Sequence, residues 1–232
     1  FLHHGHQLLR LHKSAALSWF KSCALYHICI LVERGVSWAG KERIRLTTVL
    51  FARHGQTDWN LEMRRQGRTD IPLNDTGRMQ AVECAQKIDI PVDVICSSPL
   101  CRALETARII AGHIGYDRPV EIVDGLIERS FGQYEGTCVD RLPGGFLWEM
   151  NSPFNRGLED PKEAETLPVL FTRIDGCLTR LCRLYAGKTI LLVSHGGVAV
   201  AVRRYFEGAP KDGDYKPLIP PNTCLLRYTP VS

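Results

Sequence analysis

Val49-Leu50-Phe51-Ala52-Arg53-His54-Gly55-Gln56-Thr57 is an apolar run that stops abruptly in an arginine, a histidine and a glycine. In an open α/β sheet, ligands bind beyond the carboxyl ends of the strands. A histidine that ends such a strand is therefore a candidate nucleophile at a pocket edge, and Gly55 is expected to let the chain turn sharply there. The pattern recurs at Thr189-Ile190-Leu191-Leu192-Val193-Ser194-His195-Gly196-Gly197, where a second apolar run again delivers a histidine before glycine. If the two strands are neighbours, they present two imidazoles to one site.

Each run alone is a weak signal, because short motifs recur by chance. Further residues in chain order strengthen it. Ser98-Pro99-Leu100-Cys101-Arg102 places Arg102 in the first turn of an expected helix, and Leu126-Ile127-Glu128-Arg129 supplies a carboxylate. Strand-like runs at 47–52, 93–97, 119–123, 189–194 and 223–228 alternate with helical patterns at 76–88, 100–114, 165–185 and 197–206. Alternation of this kind predicts an α/β fold, a doubly wound and mostly parallel sheet flanked by helices. Asn74 and Asp75 are candidate caps of the first of those helices, and Ser98 with Pro99 is expected to open the second.

With these residues in place, the chain resembles the histidine phosphatase superfamily, which also contains the cofactor-dependent phosphoglycerate mutases. The resemblance covers residues 47–230 and includes Asn60 after Asp58-Trp59, the Gln66-Gly67 pair, Pro72-Leu73, and Pro221-Asn222-Thr223. It implies a phosphoglycerate mutase-like fold and a nucleophilic His54 that becomes phosphohistidine. Arg53, Arg102 and His195 would clamp the phosphoryl group, and Glu128 would serve as acid and then base. Elementary chemistry agrees: phosphoryl transfer needs a nucleophile, cations for the equatorial oxygens and an acid for the leaving oxygen. Guanidinium forks match phosphate oxygens bidentately. Gln56, Thr57, Asn60, Gln66, Gly67, Arg129 and Gly196 are candidate substrate-binding residues; for Thr57 and Asn60 the competing reading is local turn or cap bonding.

Three functions follow from the resemblance. The first is a phosphomonoesterase acting on a small phosphorylated metabolite, the second a phosphoglycerate mutase, the third a non-catalytic phospho-ligand-binding module. The superfamily's mutases carry a tyrosine where Phe131 stands, then a longer insert with a lysine and adjacent arginines. Here Phe131 is followed by Gly132-Gln133-Tyr134-Glu135-Gly136-Thr137-Cys138-Val139-Asp140, with no lysine. That pattern resembles the phosphatase branch. All five catalytic candidates are present, which argues against the binding module.

At 232 residues and 44% hydrophobic content the chain can bury one substantial core. Residues 47–232 are expected to form the catalytic domain and 1–46 an N-terminal extension: disordered, a targeting segment or an artefact of the gene model. Met63, the first methionine, lies beyond His54, so the sequence is expected to be a fragment, to have lost its true start or to include residues read upstream of it. Ala15–Val32 is apolar but broken by Lys21 and His27, too interrupted for a membrane span. The segment is basic and nearly free of acidic residues before Glu33, the pattern of an organelle-targeting peptide. Residues 130–164, rich in Gly, Pro and Asn and carrying Trp148, Met150 and Phe154, read as a lid that selects the substrate. Within it, Pro161-Lys162-Glu163-Ala164-Glu165-Thr166 resembles a family stretch with glycine in place of Ala164, a departure that counts against a site role for Glu165.

The net charge of +4 is mild. Arg64, Arg65 and Arg68 either attract a polyanionic substrate or form a solvated basic loop. Nine cysteines without metal-ligand spacing indicate reduced thiols and a cytoplasmic protein. The expected partner is a small phosphorylated substrate. No metal, cofactor, nucleic acid or stable membrane association is expected, and oligomeric state leaves no signal in the sequence.

Overall fold

The computed structural model describes residues 46–142 and 164–229. The N-terminal extension to residue 45 and most of the expected lid, 143–163 with Trp148, Met150 and Phe154, lie outside them. In chain order the elements are β1 (Thr48–Arg53), α1 (Asp58–Leu61), α2 (Asp75–Gln86), β2 (Val94–Ser97), α3 (Cys101–His113), β3 (Glu121–Ile122), α4 (Leu167–Leu184), β4 (Thr189–Ser194), α5 (Gly196–Glu207) and β5 (Leu225–Tyr228). Short 3-10 turns occupy Asp124–Leu126, Gly132–Tyr134, Val139–Arg141 and Lys216–Leu218.

The strands form one sheet in the order β3-β2-β4-β1-β5. β3, β2, β4 and β1 pair in parallel, and β5 runs antiparallel to β1 at the edge. The expected doubly wound, mostly parallel α/β architecture is the observed one. β1 and β4 are continuous apolar runs because both of their faces are covered. Side chains alternate along them: Val49, Phe51, Ile190 and Leu192 enter the core with α4 and α5, while Leu50, Ala52, Leu191 and Val193 enter the core with Ala103, Ala107 and Ile110 of α3.

Local chemistry sets the helix starts. Asn74 caps α2 by accepting the Gly77 N–H at 2.9 Å, a bond of a kind that contributes about 1 kcal/mol. The expected opening of α3 is different. Leu100 occupies its N-cap without a side-chain bond of its own, and Ser98, two residues before the helix, accepts the Leu100 N–H at 3.3 Å while its hydroxyl also meets a histidine. Gly55 also departs from expectation, since it has no positive φ. Glycine is needed there for close approach: a Cβ would lie 2.2 Å from the Gly77 carbonyl oxygen, and one on Gly77 would lie 2.1 Å from that of Gln56. The turn after β1 thus packs backbone to backbone on the first turn of α2.

Candidate active site

β1 and β4 are hydrogen-bonded neighbours with Arg53 opposite Ser194, so His54 and His195 leave the sheet side by side. Their ring centroids are 5.2 Å apart, and both residues are buried. The Nδ1 of His54 lies 2.7 Å from the carbonyl oxygen of Gly55. A carbonyl only accepts, so Nδ1 carries the proton and Nε2 is the basic nitrogen. The backbone around it is fixed on three sides. His54 N–H donates to Ser194 O at 2.8 Å, Asn222 donates to His54 O at 2.8 Å, and Gly55 N–H donates to the Thr106 hydroxyl at 3.1 Å. Thr106 in turn donates to the carbonyl of Arg102 at 2.7 Å, tying the histidine turn to α3.

His195 is wholly buried, with Nε2 2.7 Å from the hydroxyl of Ser98. A hydroxyl that donates there leaves the proton on Nδ1, and that nitrogen has no partner among the described residues. The two guanidiniums are anchored by carbonyls. Arg53 donates to Pro220 O at 2.6 Å, and Arg102 to Thr69 O at 2.8 Å and Gly67 O at 2.7 Å. The Nε of each is buried and unpartnered among the described residues. Buried donors of this kind are costly until an acceptor arrives.

Glu128 sits across the cleft, accepting the Arg129 N–H on Oε1 at 2.8 Å and the Gly197 N–H, in the first turn of α5, on Oε2 at 3.1 Å. Its loop is held firmly. Ser194 donates to Leu126 O at 2.6 Å, Arg68 to Glu128 O at 3.2 Å, and Arg173 to Gly125 O and Ile127 O at 2.8 and 2.9 Å. Arg173 also grips the buried Glu165 through two bonds of 2.8 and 2.7 Å, and Glu165 accepts the Arg129 side chain on its carbonyl at 2.7 Å.

Both imidazoles are held well below the ordinary histidine pKa of 6.5. For His54 burial is the main cause and the charges of Arg102 and Arg53 add to it, against the opposing bond to Gly55. For His195 burial again leads, followed by Arg102, His54 and Arg53. His54 is therefore neutral and nucleophilic at neutral pH. The unfolded chain takes up protons on these histidines as pH falls below about 6.5, whereas the folded chain does not. Their contribution to stability is complete above that value and declines below it, until the lowered folded pKa is reached. Urea unfolding at pH 7.5, 6.5 and 5.5 is expected to show a falling free energy, by up to about 1.4 kcal/mol per pH unit for each imidazole. An unchanged free energy across these pH values would contradict the neutral assignment.

The cleft has a cavity volume of about 110 Å³ and opens to solvent. Arg53, His54, Arg102 and Glu128 line it together with Asn60, Gln66, Gly67, Arg129 and Gly196 from the sequence-derived set. His195 is fully buried beside His54 and is not among the residues that line the cleft. Gln56 and Thr57 are engaged elsewhere: Gln56 N–H donates to Gln80 at 2.9 Å and its side-chain oxygen accepts from Asn74 at 3.1 Å, while Thr57 forms a capping box with Asn60 at the start of α1. Asn60 takes part in both, as cap and as cleft wall.

Several contributors are absent from the sequence-derived set. Ser98 was read as a helix opener, yet its place just past β2 puts it on the same sheet edge as the histidines, a signal available from strand position. Arg64 and Arg65 line the cleft, whereas Arg68 turns to the Glu128 loop. Thr106 supports the nucleophile through a backbone bond that no local pattern announces, and Asn222, noted only within the Pro221-Asn222-Thr223 motif, does so through the His54 carbonyl.

A neutral imidazole with its basic nitrogen oriented by a backbone bond, set among guanidiniums with spare N–H groups, is fitted to take a phosphoryl group from oxygen onto nitrogen. Phosphoryl transfer through histidine is the class that fold and site define. The chain belongs to the histidine phosphatase superfamily (branch 1), whose model matches residues 49–230. It is similar to an uncharacterised phosphatase, PhoE, of Bacillus subtilis, at 35% identity over 78% of this chain and 86% of the relative. A metal-independent phosphoserine phosphatase of Arabidopsis thaliana is 31% identical over 76% of each chain. Among solved structures, a mutant phosphoserine phosphatase from Entamoeba histolytica in complex with phosphoserine superimposes with a TM-score of 0.69 at 32% identity, over 78% of this chain and 90% of the other. The protein is thus an enzyme of the histidine phosphatase type.

Proposed function

We propose that the protein hydrolyses phosphomonoesters of small metabolites through a phosphohistidine at His54, within a catalytic domain spanning 47–232. The observation that carries this reading is the Nδ1 bond of His54 to Gly55, which leaves Nε2 basic beside two buried guanidiniums. In the first step Nε2 attacks phosphorus, the P–N bond forms, the ester P–O bond breaks, and a proton from the Glu128 carboxyl goes to the leaving oxygen. In the second step the Glu128 carboxylate takes a proton from water, the water oxygen attacks phosphorus, and the P–N bond breaks to release inorganic phosphate and neutral His54.

Arg53, Arg102 and His195 Nδ1–H bind the equatorial oxygens throughout. These fixed charges take the part that magnesium plays in other phosphoryl-transfer enzymes. Asn60, Gln66, Gly67 and Gly196 are assigned to substrate contact at the cleft wall. Two of the relatives are phosphoserine phosphatases, which makes phosphoserine the first substrate to try. A cytoplasmic location fits the seven free cysteines of the described residues, and none of the described helices is long and apolar enough to cross a membrane.

The test is to trap the intermediate. Labelled phosphoserine and p-nitrophenyl phosphate, quenched during turnover in buffer with excess chelator, are expected to leave an acid-labile, alkali-stable label on the peptide containing His54. Turnover abolished by the chelator, or a label on a hydroxyl or thiol, excludes the mechanism. Release of phosphate to water faster than its return to a second phosphoglycerate separates phosphatase from mutase.

A further inference from the structure

The hydrolysis proposed above leaves one cation of the cleft without a task. Arg65 lines the cleft, and its Nε is buried with no hydrogen-bond partner among the described residues. Its two basic neighbours in sequence are occupied: Arg64 pairs with Glu62 at 2.6 Å, and Arg68 bonds the Glu128 carbonyl and the Glu165 carboxylate. No carboxylate or carbonyl in the described residues meets the guanidinium of Arg65. Instead it lies over the ring of Phe131, 5.3 Å from the centroid, and the same ring carries Arg129 at 5.6 Å. An aromatic face supports a guanidinium without using its N–H fork, which is left to bind an acceptor in the plane.

The surrounding charges make that acceptor an anion. Burial is the largest influence on Arg65; Glu128 opposes its effect, and Arg53 adds to it. Arg65 therefore lies within electrostatic reach of both the acid and the phosphate clamp. A phosphate dianion held by Arg53 and Arg102 leaves the charge of Arg65 unmatched.

We propose that Arg65 binds a second anionic group of the substrate, on the Phe131 side of the phosphate clamp, and thereby selects phosphomonoesters that bear a carboxylate or another phosphate over those with neutral tails. This assignment rests on the phosphatase reading and deepens it. The planar fork of arginine suits either group bidentately, and lysine would retain the charge without the fork.

Matched substrate pairs test it. 3-Phosphoglycerate against glycerol 3-phosphate differs by a carboxylate, and fructose 1,6-bisphosphate against fructose 6-phosphate differs by a second phosphate. The full chain is expected to favour the anion-bearing member of at least one pair by about tenfold or more in kcat/KM. Arg65→Met should bring that ratio close to unity, and Arg65→Lys should keep part of it. Whichever pair carries the preference identifies the anion. A folding defect lowers both members of a pair alike and leaves the ratio intact, so an unchanged ratio in Arg65→Met overturns the assignment. A wild-type ratio near unity in both pairs, with p-nitrophenyl phosphate turned over normally, also overturns it and leaves the phosphatase reading standing. No hydrolysis of any ester by the wild type removes both.

Discussion

Replacing His54 with alanine is expected to lower kcat for phosphomonoester hydrolysis by about 10⁴-fold or more, because it removes the one imidazole among the described residues that line the cleft. His195 is the nearest imidazole, but it is wholly buried and its Nε2 is engaged by Ser98. The carboxylate of Glu128 is held by two backbone N–H groups, which orients it for proton transfer. The fold should survive. The backbone bonds of residue 54 to Ser194 and Asn222 do not involve the imidazole. Arg53 and Arg102 also remain, so the variant should still bind inorganic phosphate while failing to turn over ester. Initial rates together with phosphate titration check both halves; hydrolysis at more than about one hundredth of the wild-type rate would place the nucleophile elsewhere.

The second large effect is expected at a residue that touches no substrate. Glu165→Ala should cost about 3 kcal/mol of stability, the lower end for breaking a buried ion pair, since Arg173 and Arg68 retain partial access to water. The Glu165 side chain is only 6% exposed, and its loss strands the Arg173 guanidinium. Arg173 also holds the carbonyls of Gly125 and Ile127, and Glu165 itself bonds Ser130 through its N–H. Loosening this network frees the Glu128 loop, so kcat should fall together with the urea midpoint. Glu165→Gln keeps the shape without the charge and should lie between. Equal midpoints for wild type and both variants would show that the pair carries no stability.

Such a role for Glu165 is hard to read from sequence, where the alanine before it only counted against a site function. What was legible came from continuous apolar runs. Val49–Ala52 and Ile190–Val193 are buried on both faces, so their composition announces central strands. The weak elements carried less signal for the converse reason: β3, expected over 119–123, is only two exposed residues, and α1, which no pattern announced, is four residues held by the Thr57 and Asn60 capping box. The antiparallel direction of β5 depends on how the chain returns after α5, which no periodicity records. Within the site, His54, Arg53, Arg102, Glu128 and His195 were legible because their residue types suit one chemistry. Ser98, Thr106 and Asn222 act through bonds between distant segments, so residue type alone does not reveal their part; Ser98 is marked only by its place past β2 and Asn222 only by its motif. Arg65 could not be told from Arg64 and Arg68 in sequence, where the cluster reads either as a polyanion attractor or as a solvated loop, until the fold gave the three different neighbours.

The pairing of Thr48–Arg53 with Thr189–Ser194 has a further consequence, for the timing of activity as the chain folds. These two segments lie near opposite ends of the described residues, and contacts of such separation close late. Nucleophile and clamp therefore do not exist as a unit in a collapsed chain or in either half of it. A slip of one residue between the strands would turn alternate side chains to the wrong core and move the two imidazoles out of step. Catalysis is thus an assay of register: the first turnover of a refolding molecule marks the moment at which the centre of its sheet has closed correctly.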